Sequence, residues 1–261
     1  MRAPRRRRRL RLLYSAAAHR RSAISDEILG TSLAFIAGAI NAGGFLAVGQ
    51  YTSHMTGVVS AIADNLVLGV FGLVGTGLVA LVSFGAGSAC SAMLINWGRR
   101  NARRRQYAYP IGLEAVLLLV FGAIGAASGR MPGLMLLAAP LLCFIMGLQN
   151  ATITKISGAR MRTTHLTGMV TDIGIELGKL AYWNRDRRAP ELMVMADRRK
   201  LGILLRVVGM FFSGGVIGAL GFGQVGYGFS VPLALLLMSF AVASMRPARP
   251  RSVLASPGEQ A

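Results

Sequence analysis

The chain has 261 residues, of which 53% are hydrophobic and 15% charged, with 33 glycines and a mean hydropathy of +0.52. This excludes a disordered chain, which needs low hydrophobicity, and argues against a soluble domain. Cys90 and Cys143 both lie in apolar runs, which excludes a disulfide-stapled secreted fold. The net charge of +19 would suit nucleic acid or an anionic membrane surface. The charges, however, sit in the tails and in short loops between apolar runs. That is the pattern of cytoplasmic loops in a multi-pass membrane protein, so no specific nucleic-acid partner is expected.

Residues 1–28 form a basic tail with RRRRRLRLL at 5–13. Its apolar stretch, Leu12 to Ala18, is too short for a signal peptide. It reads as a cytoplasmic tail touching anionic lipid. A transit peptide, or sequence upstream of the native start, is the alternative. Crossing helices need about 20 mostly apolar residues. Six segments qualify: about 29–50, 73–97, 108–128, 133–151, 203–222 and 227–245. Two further helical segments are more polar. The first, about 54–70, carries His54, Asp64 and Asn65; the second, about 164–180, carries His165, Asp172, Glu176 and Lys179. Residues 247–261 read as a disordered cytoplasmic tail.

Lys and Arg decide whether the polar segments cross. With six crossings and a cytoplasmic N-terminus, 28 of the 29 basic residues fall inside, leaving Arg130 outside. If both polar segments also cross, the split drops to 21 against 8. The positive-inside rule therefore predicts six crossings, both termini cytoplasmic, and two re-entrant or interrupted helices.

The chain repeats itself. Residues 35–42 read FIAGAINA and 144–151 read FIMGLQNA, an offset of 109; 53–59 read SHMTGVV and 164–170 read THLTGMV, an offset of 111. Two blocks in the same order at nearly one offset indicate duplication. Repeat one covers about 29–128 and repeat two about 133–246 of a single membrane domain, 29–246. Three crossings per repeat is an odd number, so the second enters the membrane inverted, as in many secondary transporters. The expected fold is all-α, built from two inverted-topology repeats.

The SHMTG and RTTHLTG blocks, with FIMGLQNA, resemble the YoaK-like membrane proteins, the domain of unknown function 1275. The resemblance covers roughly residues 29–246 and implies a polytopic bacterial membrane protein, placed in the cytoplasmic (inner) membrane. It implies no established activity.

On a helix, His165, Asp172 and Glu176 fall within roughly 40° of one another, near Lys179. Such a face should point at protein or water. Asp172 and Glu176 would raise one another's pKa and Lys179 or His165 would lower it, which allows a proton-binding site. In repeat one, His54 and Asn65 share a face with Asp64 beside it. Thr56-Gly57 and Thr167-Gly168 follow each His by two, and Ser53 and Thr164 are expected to cap the helix starts. Those starts then offer free N–H groups to an anion or polar solute. They serve equally well as a packing device between two interrupted helices. Asn41 and Asn150 are expected to bond freed backbone groups of their own half's polar segment. Glu114 is expected to snorkel to the inner interface and pair with arginines.

There is no Walker-type loop, no H-E-x-x-H, no Cys/His cluster with metal spacing and no obvious nucleophile. No metal, no cofactor and no enzyme activity are therefore expected. The leading expectation is a small secondary transporter or channel for a polar or anionic solute, proton coupling included, with its site between the repeats. The other reading is a membrane scaffold, sensor or partner subunit. Gly-rich runs such as 69–77 also admit contact between copies, so a homo-oligomer stays open.

Overall fold

The computed structural model describes residues 23–101, 106–156, 165–182 and 193–245. Residues 1–22 of the predicted N-terminal tail, the predicted C-terminal tail and Thr164 lie outside these residues, whereas 23–28, expected to belong to the tail, are the first turns of a helix. The described residues are helical, with no strand among them. The helices are α1 (Ala23–Val48), α2 (Met55–Val67), α3 (Phe71–Asn101), α4 (Ala108–Ala127), α5 (Ala138–Ile156), α6 (Leu166–Ala181), α7 (Arg198–Val225) and α8 (Ser230–Met245). Short 3-10 turns at Pro132–Leu137 and Gly226–Phe229 precede α5 and α8.

Five helical stretches are long and apolar enough to cross a membrane. The last, Arg198–Ala243, has 46 residues. At 1.5 Å per residue that is about 70 Å, more than twice a bilayer core. The chain folds back within it at Gly226, whose φ of +66° suits glycine. By the same arithmetic α2 is only about 20 Å long and α6 about 24 Å, both short of a crossing.

The most extensive helix pairings are α1 with α7 and α3 with α5, followed by α4 with α8. Close glycines give their directions. A Cβ on Gly214 would strike Phe35, one on Gly218 Ala39, and Gly43 meets Phe222, so α1 and α7 run parallel. The ion pair Arg206–Glu27, 2.6 Å, continues that register. A Cβ on Gly87 would strike the Phe144 carbonyl and one on Gly147 the Phe84 carbonyl. Ser91 and Thr152 hydrogen-bond further along the same two helices, 2.8 Å, so α3 and α5 are also parallel. Gly125 meets Tyr227, Gly122 meets Ser230 and Gly112 meets Ala241, so α4 and α8 are antiparallel. Gln149 bonds the Leu33 carbonyl and Gly44 meets Leu142, so α5 opposes α1.

These directions make α1, α3, α4, α5, α7 and α8 alternate up and down through one bundle. The pairing is unchanged when the halves are exchanged: the first helix of each repeat crosses the third of the other. Each crossing uses the same four-residue unit. Phe35-x-x-Gly38 packs on Phe211-x-x-Gly214, and Phe144-x-x-Gly147 packs on Phe84-x-x-Gly87. Between apolar helices in lipid, attraction comes from close packing rather than hydrophobic burial, and glycine permits the approach.

The core sits where these crossings meet α4. Leu33, Ile36, Ile40, Leu118, Phe121 and Ile145 are fully buried there. Phe121, Phe222, Tyr227 and Phe229 stack edge to face at one end, with ring centroids 5.4–6.2 Å apart. Every described Lys and Arg except Arg130 lies towards the other end, at the last turns of α3, α5 and α6 and the first turns of α7.

Candidate functional site

Each half-length helix begins part-way along the bundle. Ile62 of α2 packs on Gly77 of α3 across the turn at Gly69. That hairpin register brings Met55, the first residue of α2, level with Phe84. In the second repeat, Leu166 at the start of α6 packs in the same cluster as Phe211 of α7. Thus α2 and α6 both start at the height of the F-x-x-G crossings and run towards opposite ends.

The H-x-T-G spacing has a local cause. His54 and His165 are the N-cap residues of α2 and α6, and neither side chain caps by a hydrogen bond. Each imidazole instead folds over the first turn. A Cβ on Gly57 would lie 2.5 Å from His54 Nδ1, and one on Gly168 would lie 2.5 Å from His165 Nε2. Glycine three residues on is what leaves room for the ring. Thr56 and Thr167 are exposed beside it. Ser53 does not cap α2 as expected. Its N–H and Oγ both donate to Asn41 Oδ1, at 3.3 and 3.1 Å, because the chain enters from the side of α1. Asn41 thereby ties the break between α1 and α2. Its counterpart Asn150 is partly buried, and its Oδ1 has no partner among the described residues.

The predicted titratable face does not assemble as one site. Glu176 is 2% exposed. Its Oε1 accepts from Lys179 Nζ at 3.0 Å and its Oε2 from Asp197 N–H at 2.8 Å. Lys179 and then the Asp197 N–H hold its carboxyl below the usual carboxylate range. Asp172 instead pairs with Lys200 of α7 at 3.3 Å, with both side chains partly exposed. The two carboxylates clamp α6 to the start of α7 rather than share a proton. His165 is exposed, one helix turn and more from either. In repeat one, α2 has no buried residue. Asp64 is exposed, and Asn65 Nδ2 donates to its own helix at Ala61, 2.7 Å.

A cavity of about 630 Å³ lies beside Asn41, Tyr51, Leu166, Phe211 and Gly215, where the break of repeat one meets the start of α6. Its lining is apolar except for Asn41 and the Tyr51 hydroxyl. Of the predicted site residues only Asn41 lines it.

Sequence reasoning placed Glu114 at the interface. The structure corrects this: Glu114 is fully buried, and neither oxygen has a hydrogen-bond partner among the described residues. The reason is its face. It lies on the side of α4 that also buries Ile111, Ala115 and Leu118, so it cannot reach the arginines. Gln149, also fully buried, is the polar side chain that acts on it. Gln149 stands where repeat one has Ile40, so comparing the two repeats would have singled it out.

Long apolar helices, short broken ones and buried polar groups define a polytopic helical membrane protein. The chain matches, over residues 29–243, the model of the family described as protein of unknown function (DUF1275), and it belongs to that family. No curated protein and no solved structure gives a match.

Proposed function

We propose that the protein is a small secondary transporter or channel for a polar or anionic solute, built from two inverted-topology repeats with six crossings. The observation that carries this reading is the pair of half-length helices. Both start at the level of the helix crossings, where a bilayer would have its midplane, and they run to opposite ends. Interrupted helices facing a midplane site are the common plan of secondary transporters. The cavity at Asn41 and Leu166 is the proposed solute path, with His54, Thr56, Gly57, His165, Thr167 and Gly168 at the helix starts beside it. The membrane is the bacterial cytoplasmic membrane. Both termini face the cytoplasm, and the basic end of the bundle meets anionic lipid.

A second reading, as scaffold or partner subunit, is favoured by α2, which buries nothing and exposes Val59, Leu66 and Val67. Single-cysteine accessibility separates the two. In protein lacking Cys90 and Cys143, Ala42→Cys on the cavity wall is expected to react with a water-soluble thiol reagent in proteoliposomes. A residue that stays unreactive from both sides would mean a dry interior and favour the scaffold.

A further inference from the structure

A carboxyl group in the middle of an apolar bundle needs compensation. A lone charge there costs several kcal/mol or more. Glu114 has no ion pair with any described cation, and both its oxygens are without a donor. The elements packed on α4 carry six other titratable side chains: Cys90, Arg99 and Arg100 on α3, Cys143 and Lys155 on α5, and Tyr227 before α8. None of them hydrogen-bonds Glu114.

The polar side chain beside it is Gln149. The Gln149 amide is oriented by its bond to the Leu33 carbonyl at 3.3 Å, and its Oε1 is also buried without a donor. Both Glu114 oxygens and Gln149 Oε1 are therefore buried side by side without a hydrogen-bond partner or a cation among the described residues. Gln149 lies two residues beyond Gly147, so this pair sits at the level of the α3–α5 crossing. A structural polar pair would satisfy itself, as Ser91 and Thr152 do at 2.8 Å. Glu114 and Gln149 do not.

We propose that Glu114 and Gln149 form a binding site for a small monovalent cation, a proton or Na⁺, in the centre of the bundle. The cation supplies the charge, or the O–H donor, that these oxygens lack. Transport gives the site its purpose as the coupling-ion site, and in that respect the inference rests on the proposed function. Occupancy itself is read without any solute.

The test is infrared spectroscopy of the full chain in lipid, with ¹³C-labelled glutamate, in K⁺ buffer at neutral pH and then with Na⁺ added. A carboxylic-acid carbonyl band that shifts in D₂O and disappears in Glu114→Gln identifies a proton site. A carboxylate band that shifts on adding Na⁺, with a gain in thermal stability absent from Glu114→Gln, identifies a Na⁺ site. Gln149→Met, which leaves the carboxyl in place, is expected to shift the same band and so supports the assignment if Glu114→Gln fails to fold. A carboxylate signal indifferent to both pH and Na⁺ would overturn the proposal. So would an acid band that neither exchanges in D₂O nor titrates. Failure of transport with the band present would fall on the proposed function and leave the cation site standing.

Discussion

Two kinds of polar residue look alike in the sequence and differ in what they contact. Glu176 and Asp172 share a helical face, yet Glu176 is taken by Lys179 of its own helix and Asp172 by Lys200 at the start of α7. Because the folded Glu176 carboxyl titrates below its unfolded value, its contribution to stability is present above about pH 4.3. It is lost as pH falls through the folded value. Melting followed against pH is therefore expected to show wild-type protein losing stability below about pH 4 more steeply than Glu176→Gln. Parallel curves would remove Glu176 from the α6–α7 clamp. Glu114, fully buried on α4, has no such cation among the described residues, and neither of its oxygens has a hydrogen-bond partner there.

At the scale of elements, the F-x-x-G crossings decide the architecture. A leucine at Gly147 would drive its side chain into the Phe84 backbone, and at Gly38 into the Phe211 backbone. Overpacking a side chain typically costs about 1–3 kcal/mol. Here the obstacle is backbone, which yields less, so Gly147→Leu and Gly38→Leu are each expected to cost at least the upper part of that range. Gly72→Leu, which meets open space, serves as the control. Equal melting of all three would dismiss the crossings as the main contact. Half of this motif was legible, since 35–42 and 144–151 are similar over their whole length. The partner copies at 84–87 and 211–214 share only Phe and Gly at an offset of 127, too little to stand out without the contact that joins them. The helix ends moved for local reasons. The last basic turns of α3 and the first of α7 remain helical, because Arg99, Arg100 and Arg198 to Lys200 continue the helix into the interface. The face of Glu114 was not legible, since Leu, Val and Ala surround it on every side of α4 and leave no polar stripe to orient it.

At the scale of the whole molecule, three separate properties agree. The described basic residues gather at one end of the bundle, with Arg130 at the other. Helices α1, α3, α4, α5, α7 and α8 alternate in direction, while α2 and α6 each end on the side of the bundle that the preceding helix reached. The helix pairing is unchanged by exchanging the repeats. The all-helical, multi-pass character was readable from the long apolar segments, whereas which helix pairs with which was not, because parallel and inverted duplications leave the same sequence pattern.

The most direct test concerns the ends of the two half-length helices. In protein without Cys90 and Cys143, single cysteines replace Leu68 after α2 and Tyr182 after α6, both exposed. A membrane-impermeant thiol reagent is applied to intact cells and then after permeabilisation. Inverted repeats predict labelling at Leu68→Cys from outside and at Tyr182→Cys only after permeabilisation. Labelling of both from the same side would contradict the inverted arrangement and, with it, the midplane site between the repeats.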